Sequence, residues 1–241
     1  MKEIAKEIDC SPYLISGNGS IIYNLNEEKT IYTNYLQKEK VLEIIKICEE
    51  NSIFYSVFMT EIVITKSLKH DVAFYSYENT ANGEMEIEII EDIYEYVQKH
   101  EKEDFLKITI CDNNKIIFSR IMDILKQIGG VDVLDVGHMS TKRVNTGEEE
   151  IKIAYFYTEI TNENANKWTA LQFLMKELGI SSEEIMVIGD NVNDEEMIRN
   201  AGMGIAMGNS YPALKEMAND VVADNNKSGV AEAINKHINN A

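Results

Sequence analysis

Residues 185–194 read Ile185-Met186-Val187-Ile188-Gly189-Asp190-Asn191-Val192-Asn193-Asp194, and the fold class turns on them. The four apolar residues form a short unbroken run, the pattern of a strand buried on both faces. The run stops at Gly189-Asp190, and Asp194-Glu195-Glu196 then opens a helix with acids in its first turn, where the macrodipole favours them. Gly202 closes that helix. Upstream, Trp168, Leu171, Leu174, Met175 and Leu178 recur every three or four residues. Gly179 follows as a left-handed cap, so Lys167 to Leu178 is predicted to be one amphipathic helix. Downstream come a strand at Gly204 to Met207, a helix from Pro212 to about Ala218, a strand at Val221 to Ala223, and a helix from Gly229 to His237. Such helix–strand alternation argues for an α/β fold with a parallel sheet covered on both faces.

The middle of the chain follows another pattern. Lys38 to Glu50 presents Val41, Leu42, Ile45 and Cys48 on one helical face, and Phe54 to Thr65 holds two short strand-like runs. Ala73 to Tyr77, Leu106 to Cys111, Val131 to Val136 and Ile153 to Thr158 are rich in β-branched and aromatic residues, the last able to pair as a hairpin. Helices are predicted at about Ile90 to Lys99 and Ser119 to Gln127. This α+β block lies between Asn18-Gly19 and the C-terminal alternation and reads as an insertion. The predicted domains are therefore 1–35 with 160–241 as a discontinuous core, and 36–159 as a separate α+β domain.

Composition narrows the class. The chain has 241 residues, 44% hydrophobic and 27% charged, within the ordinary range for a globular protein able to bury a real core. Acidic residues outnumber basic ones by 41 to 23, a net charge of −18, which repels a phosphate backbone and an anionic membrane leaflet. Nucleic acid and membrane are thus not expected partners. A small anionic substrate stays admissible where a pocket gathers a cation locally. Cys10, Cys48 and Cys111 lie far apart, fitting a reducing cytoplasm rather than a disulfide framework. The histidines at 70, 100, 138 and 237 do not cluster as a zinc site needs and are expected on solvated surface.

Asp190 directly follows a buried strand, and ligands of open parallel sheets bind at the carboxyl ends of the strands. The loop from Gly189 to Asp194 gathers two carboxylates and two amides, oxygen donors that suit magnesium. Equally, Asn193 can simply cap the helix and Asp194 complement its dipole. Lys167 is anomalous, since a cation at a helix N-terminus is locally unfavourable. It is either a solvated surface lysine or one aimed, with the helix amides, at a phosphate. Ser16-Gly17-Asn18-Gly19 is a second loop after a strand-like run, Tyr13-Leu14-Ile15. Gly202-Met203-Gly204-Ile205-Ala206-Met207-Gly208 is not a dinucleotide fingerprint, because its glycines bracket a strand instead of following one.

Taken together, Asn166-Lys167, Gly189-Asp190 with Asn193-Asp194, Gly204-Ile205-Ala206-Met207-Gly208-Asn209 and Ser228-Gly229-Val230 resemble the haloacid dehalogenase superfamily. Within it, the chain is similar to the Cof-type sugar-phosphate phosphatases, with a Rossmann-like core and a large inserted α+β cap. The resemblance implies that Lys167 holds the phosphoryl group, Asp190 binds Mg2+, Asn193 contacts phosphate, and Asp194 supports Lys167 and the metal shell. It gives Asn18 a place on the cap-facing side of the pocket. The implied substrate is a small phosphorylated metabolite, such as a sugar phosphate.

One departure bears on chemistry. Members of the family begin with a strand ending in Asp-x-Asp-Gly-Thr, whose first aspartate is the covalent nucleophile, and these 241 residues contain no such motif. The expectation is a core sheet incomplete at its N-terminal side and a chain inactive alone, completed by a complementing N-terminal segment. The alternative is a non-catalytic phosphate- or partner-binding remnant.

Overall fold

The computed structural model describes residues 11–67, 86–134, 140–145 and 150–239, together with Ala5 and Glu7. Cys10, His70, His138 and the strand expected at Ala73 to Tyr77 lie outside the described residues, as do the last two positions expected in the strand from Val131 to Val136. The chain divides into two compact units, Met1–Ala165 and Asn166–Ala241.

In the first unit, β1 (Tyr13–Ser16), β2 (Ile21–Asn24) and β3 (Lys29–Thr33) form an antiparallel meander. A seven-stranded sheet follows, built from β4 (Phe54–Met59), β5 (Ile62–Thr65), β6 (Glu86–Ile89), β7 (Phe105–Asp112), β8 (Val131–Val133), β9 (Ser140–Asn145) and β10 (Glu150–Asn162). Its order is β6-β5-β4-β7-β10-β8, with β9 also on β10, and every pair is antiparallel except β5 with β6. Strand alternation sends Tyr55, Val57, Ile108, Ile110 and Ile160 to one face. There they meet α1 (Lys38–Glu50), α2 (Ile93–Lys99) and α3 (Lys115–Leu125) in a single apolar core.

The division differs from the predicted domain limits. Residues 11–35 go with the α+β block, because Leu36 N–H donates to the Phe105 carbonyl at 2.8 Å and Asn18 Nδ2 to Glu159 at 2.5 Å. Ile21 and Tyr35 add apolar contact with Phe58, Val63 and Leu106. Residues 160–162 stay with the same unit because β10 runs on to Asn162.

The second unit is the predicted alternation. It runs α4 (Lys167–Leu178), β11 (Met186–Gly189), α5 (Glu195–Asn200), β12 (Met203–Ala206), α6 (Pro212–Met217), β13 (Asp220–Val221) and α7 (Gly229–Ile234), ending in a wide turn at Asn235–Asn239. The sheet is parallel in the order β11-β12-β13. Each crossover is short, and two glycines make that possible. A Cβ on Gly204 would lie 2.1 Å from the Ile198 carbonyl oxygen, and one on Gly202 2.3 Å from that of Glu183.

Two histidines depart from the expected solvated surface. His100 is 2.8 Å from Asp104 and His237 2.7 Å from Asp220, each ring only 19% exposed. Lys236 also reaches Asp220 at 2.7 Å. These two donors hold the Asp220 carboxyl down to about 2.

Candidate active site

The carboxyl ends of β11, β12 and β13 carry Asp190, the loop Met207-Gly208-Asn209, and Val222 to Asn225, so three loops converge at one end of the parallel sheet. The centre of this end is Asp194, only 3% exposed. It sits in the tight turn Val192–Asp194, where Asn191 supplies the cap by accepting the Val192 N–H. Asn191 thus caps this turn, and the N-cap position of α5, the role open to Asn193 in sequence, is held by Asp194.

The Asp194 carboxylate is almost fully used. Its Oδ1 accepts the Lys167 ammonium at 2.6 Å, while its Oδ2 accepts the backbone N–H groups of Asp190 at 2.9 Å and Asn191 at 3.0 Å. Such charge-assisted bonds offset the cost of burying a carboxylate. They also account for Lys167. A lysine in the first turn of α4 opposes the helix dipole, and the buried anion opposite compensates it. Asn166 caps the same helix, accepting the Thr169 N–H at 2.7 Å.

Asp190 is exposed, its backbone held by Asp194 and its carboxylate by Asn209, whose Nδ2 donates to Oδ2 at 2.8 Å. Asp190 Oδ1 takes no hydrogen bond among the described residues. Asn193 lies half-buried in the same turn. The structure thus brings Lys167, Asp190, Asn193 and Asp194 together within the second unit. Asn18 belongs to the first unit, in a turn where its own φ is 55° and the flanking glycines are also left-handed, with its amide on Glu159. Asn209 was given no role from the sequence. Its position past the end of a buried strand, the same signal that singled out Asp190, points to it.

The profile of the haloacid dehalogenase-like hydrolases matches residues 1–234. The chain belongs to the haloacid dehalogenase-like hydrolase family. Among its relatives in that family, the phosphatase YwpJ of Bacillus subtilis is 24% identical over 245 residues, covering 98% of this chain and 82% of its own. A phosphoglycolate phosphatase of Methanothermobacter thermautotrophicus is 40% identical over 81 residues, 34% of this chain and 37% of its own. In three dimensions, a haloacid dehalogenase-like hydrolase from B. subtilis superposes with a TM-score of 0.75 at 24% identity, over 98% of this chain and 82% of that one. The family fold is therefore the α/β core with an α+β cap that the C-terminal motifs implied. Among the described residues no helix is long and apolar enough to cross a membrane.

Proposed function

We propose that the protein is a magnesium-dependent phosphatase of small phosphorylated metabolites, sugar phosphates or similar, working through an aspartyl-phosphate whose nucleophile is not among these 241 residues. The observation that carries this reading is the hydrogen-bonded chain Lys167–Asp194–Asp190 at the carboxyl ends of the strands. Family membership and the phosphatase activity in the names of YwpJ and the phosphoglycolate phosphatase support it.

The donors fit magnesium. Asp190 offers an exposed carboxylate with one oxygen open, and magnesium is commonly held by one or two carboxylates completed by water and phosphate. Among the described residues no group of three or more His, Cys, Asp or Glu side chains forms a cage for a metal ion. Asp190 is the ligand on this reading. Asp194 positions rather than ligates, because its oxygens already accept three hydrogen bonds. When bound, magnesium supplies charge neutralisation at the phosphoryl oxygens.

Lys167 and the first amides of α4 face the transferring group with positive charge, and Asn193 donates to its oxygens. Asp194 keeps the lysine in place, and the α+β domain of the first unit selects the rest of the substrate. The partners are then the phosphorylated metabolite and a complementing N-terminal segment, in a reducing cytoplasm.

The absence of Asp-x-Asp-Gly-Thr from the sequence favours a second reading, a non-catalytic phosphate- or partner-binding remnant. Hydrolysis of an aryl phosphate with magnesium separates the two. The phosphatase reading expects no turnover by the 241 residues, turnover once a strand bearing the motif is joined upstream, and loss of that turnover in Asp190→Ala. No turnover by the extended chain with a range of phosphate monoesters favours the remnant. Turnover by the unextended chain means that another group is the nucleophile.

A further inference from the structure

We infer that Asn209 is a positioning residue that turns Asp190 into a one-oxygen ligand and thereby tunes the site to magnesium over calcium; this rests on the reading of Asp190 as the cation ligand. The amide has a determined orientation. Its Oδ1 accepts the backbone N–H of Asn225 at 3.0 Å, so Nδ2 must face Asp190, where it donates to Oδ2 at 2.8 Å. A flipped amide would set oxygen against carboxylate and N–H against N–H.

The residue is also held from all three strand ends. Met207 N–H donates to the Gly189 carbonyl at 2.9 Å, Gly208 N–H to that of Ala223 at 3.1 Å, and Lys215 Nζ to that of Gly208 at 2.5 Å. A Cβ on Gly208 would come within 2.8 Å of the Asp224 nitrogen, so a side chain there would push Asn209 away from Asn225. Asp190 is consequently gripped twice, at its backbone by Asp194 and at one carboxylate oxygen by Asn209. Oδ2 is engaged and Oδ1 is presented.

That asymmetry selects between cations. Magnesium demands compact octahedral geometry that a single carboxylate oxygen serves, whereas calcium readily accepts both oxygens of one carboxylate in a larger, more pliable shell. Removing the Asn209 donor frees Oδ2 and loosens the carboxylate. It should penalise magnesium and spare calcium. Outer groups that orient a metal ligand typically change affinity about 10- to 100-fold.

The test uses the full chain with Mn2+ as the probe, free Mn2+ being read by electron paramagnetic resonance and displaced by Mg2+ or Ca2+. Wild type, Asp190→Asn and Asn209→Ala are compared, with metal-free thermal melting for each. The expected result is strong loss of Mn2+ in Asp190→Asn. In Asn209→Ala, Mg2+ should weaken about ten-fold or more, Ca2+ distinctly less, and the melting temperature should hold.

If Asp190→Asn loses the cation while Asn209→Ala keeps wild-type affinities, or loses both cations equally, the inference is overturned and Asp190 remains the ligand. If Mn2+ binding is absent in wild type or indifferent to Asp190→Asn, the metal reading of Asp190 falls and the inference with it. A second measurement needs no variant: the side-chain amide resonances of Asn209 in wild type should shift on Mg2+ titration, and their constancy at saturating Mg2+ overturns the inference even where Asn209→Ala fails to fold.

Discussion

A Cβ placed on Gly189 would lie 2.4 Å from the Cβ of Asp194. The last residue of β11 is a glycine because the buried carboxylate leans against its Cα. Gly189→Ala should therefore force Asp194 outward, away from the Asp190 and Asn191 amides. The expected cost is about 1–3 kcal/mol of stability, as for other overpacked sites. A denaturant midpoint equal to wild type would show that the turn has slack.

Asp194→Ala removes more. It leaves Lys167 without its partner and two backbone N–H groups without their acceptor. Hydrogen bonds to a charged group are worth about 1.5–3 kcal/mol where they are part-buried, so a loss of about 2–4 kcal/mol is expected in chemical denaturation. Lys167→Met should cost less, because Asp194 keeps its two amide donors.

Acid should loosen the C-terminal turn. Asp220 sits at about 2 because Lys236 and then His237 donate to it. A depressed carboxyl contributes stability that is present above its ordinary value, about 3.9, and is lost as pH falls through its folded value. The window is thus about pH 4 down to about pH 2. The difference in unfolding free energy between wild type and Asp220→Asn should shrink across that window and vanish at its foot. A constant difference from pH 5 to 2 would place the carboxyl's effect elsewhere.

Cys48 should be chemically silent in the folded chain. It is fully buried on α1 against the sheet, and that burial, with Glu49 beside it, pushes its thiol far up. The thiolate is the reactive form. Peptide mass spectrometry after iodoacetamide treatment at pH 8 should find Cys48 unmodified until denaturant is added. Native labelling at the rate of a free thiol would mean that α1 detaches readily.

The second unit was legible because its signals are local. Apolar runs of strand length, acids after them and the glycines at 179 and 202 punctuate it, and α4 spans the predicted Lys167–Leu178. The ends of α7 and β13 came out shorter than predicted, where the chain widens at Asn235–Asn239 and β13 keeps two residues. Lys167, Asp190 and Asp194 stood out by their places in that pattern, and the structure brings them into one hydrogen-bonded chain. What the sequence could not supply was which polar atom meets which. Asp194 was expected to support both Lys167 and the metal shell; its oxygens serve Lys167 and two backbone amides. Asn209 stood only at the end of the motif Gly204 to Asn209, with no role assigned to it. The first unit was harder, since β2 and β3 alternate weakly and their grouping depends on contacts such as Asn18 with Glu159, 141 positions apart.

That separation of scales has a kinetic side. Lys167 and Asp194 are 27 residues apart, so their ion pair closes a short loop, while the first unit must bring Asn18 across 141 residues to Glu159. Closing longer loops costs more entropy before any contact repays it, and folding slows as pairing becomes less local. The C-terminal unit should thus be assembled while the seven-stranded sheet is still searching for its register, and the slow phase of refolding should belong to that sheet rather than to the Lys167–Asp194 pair.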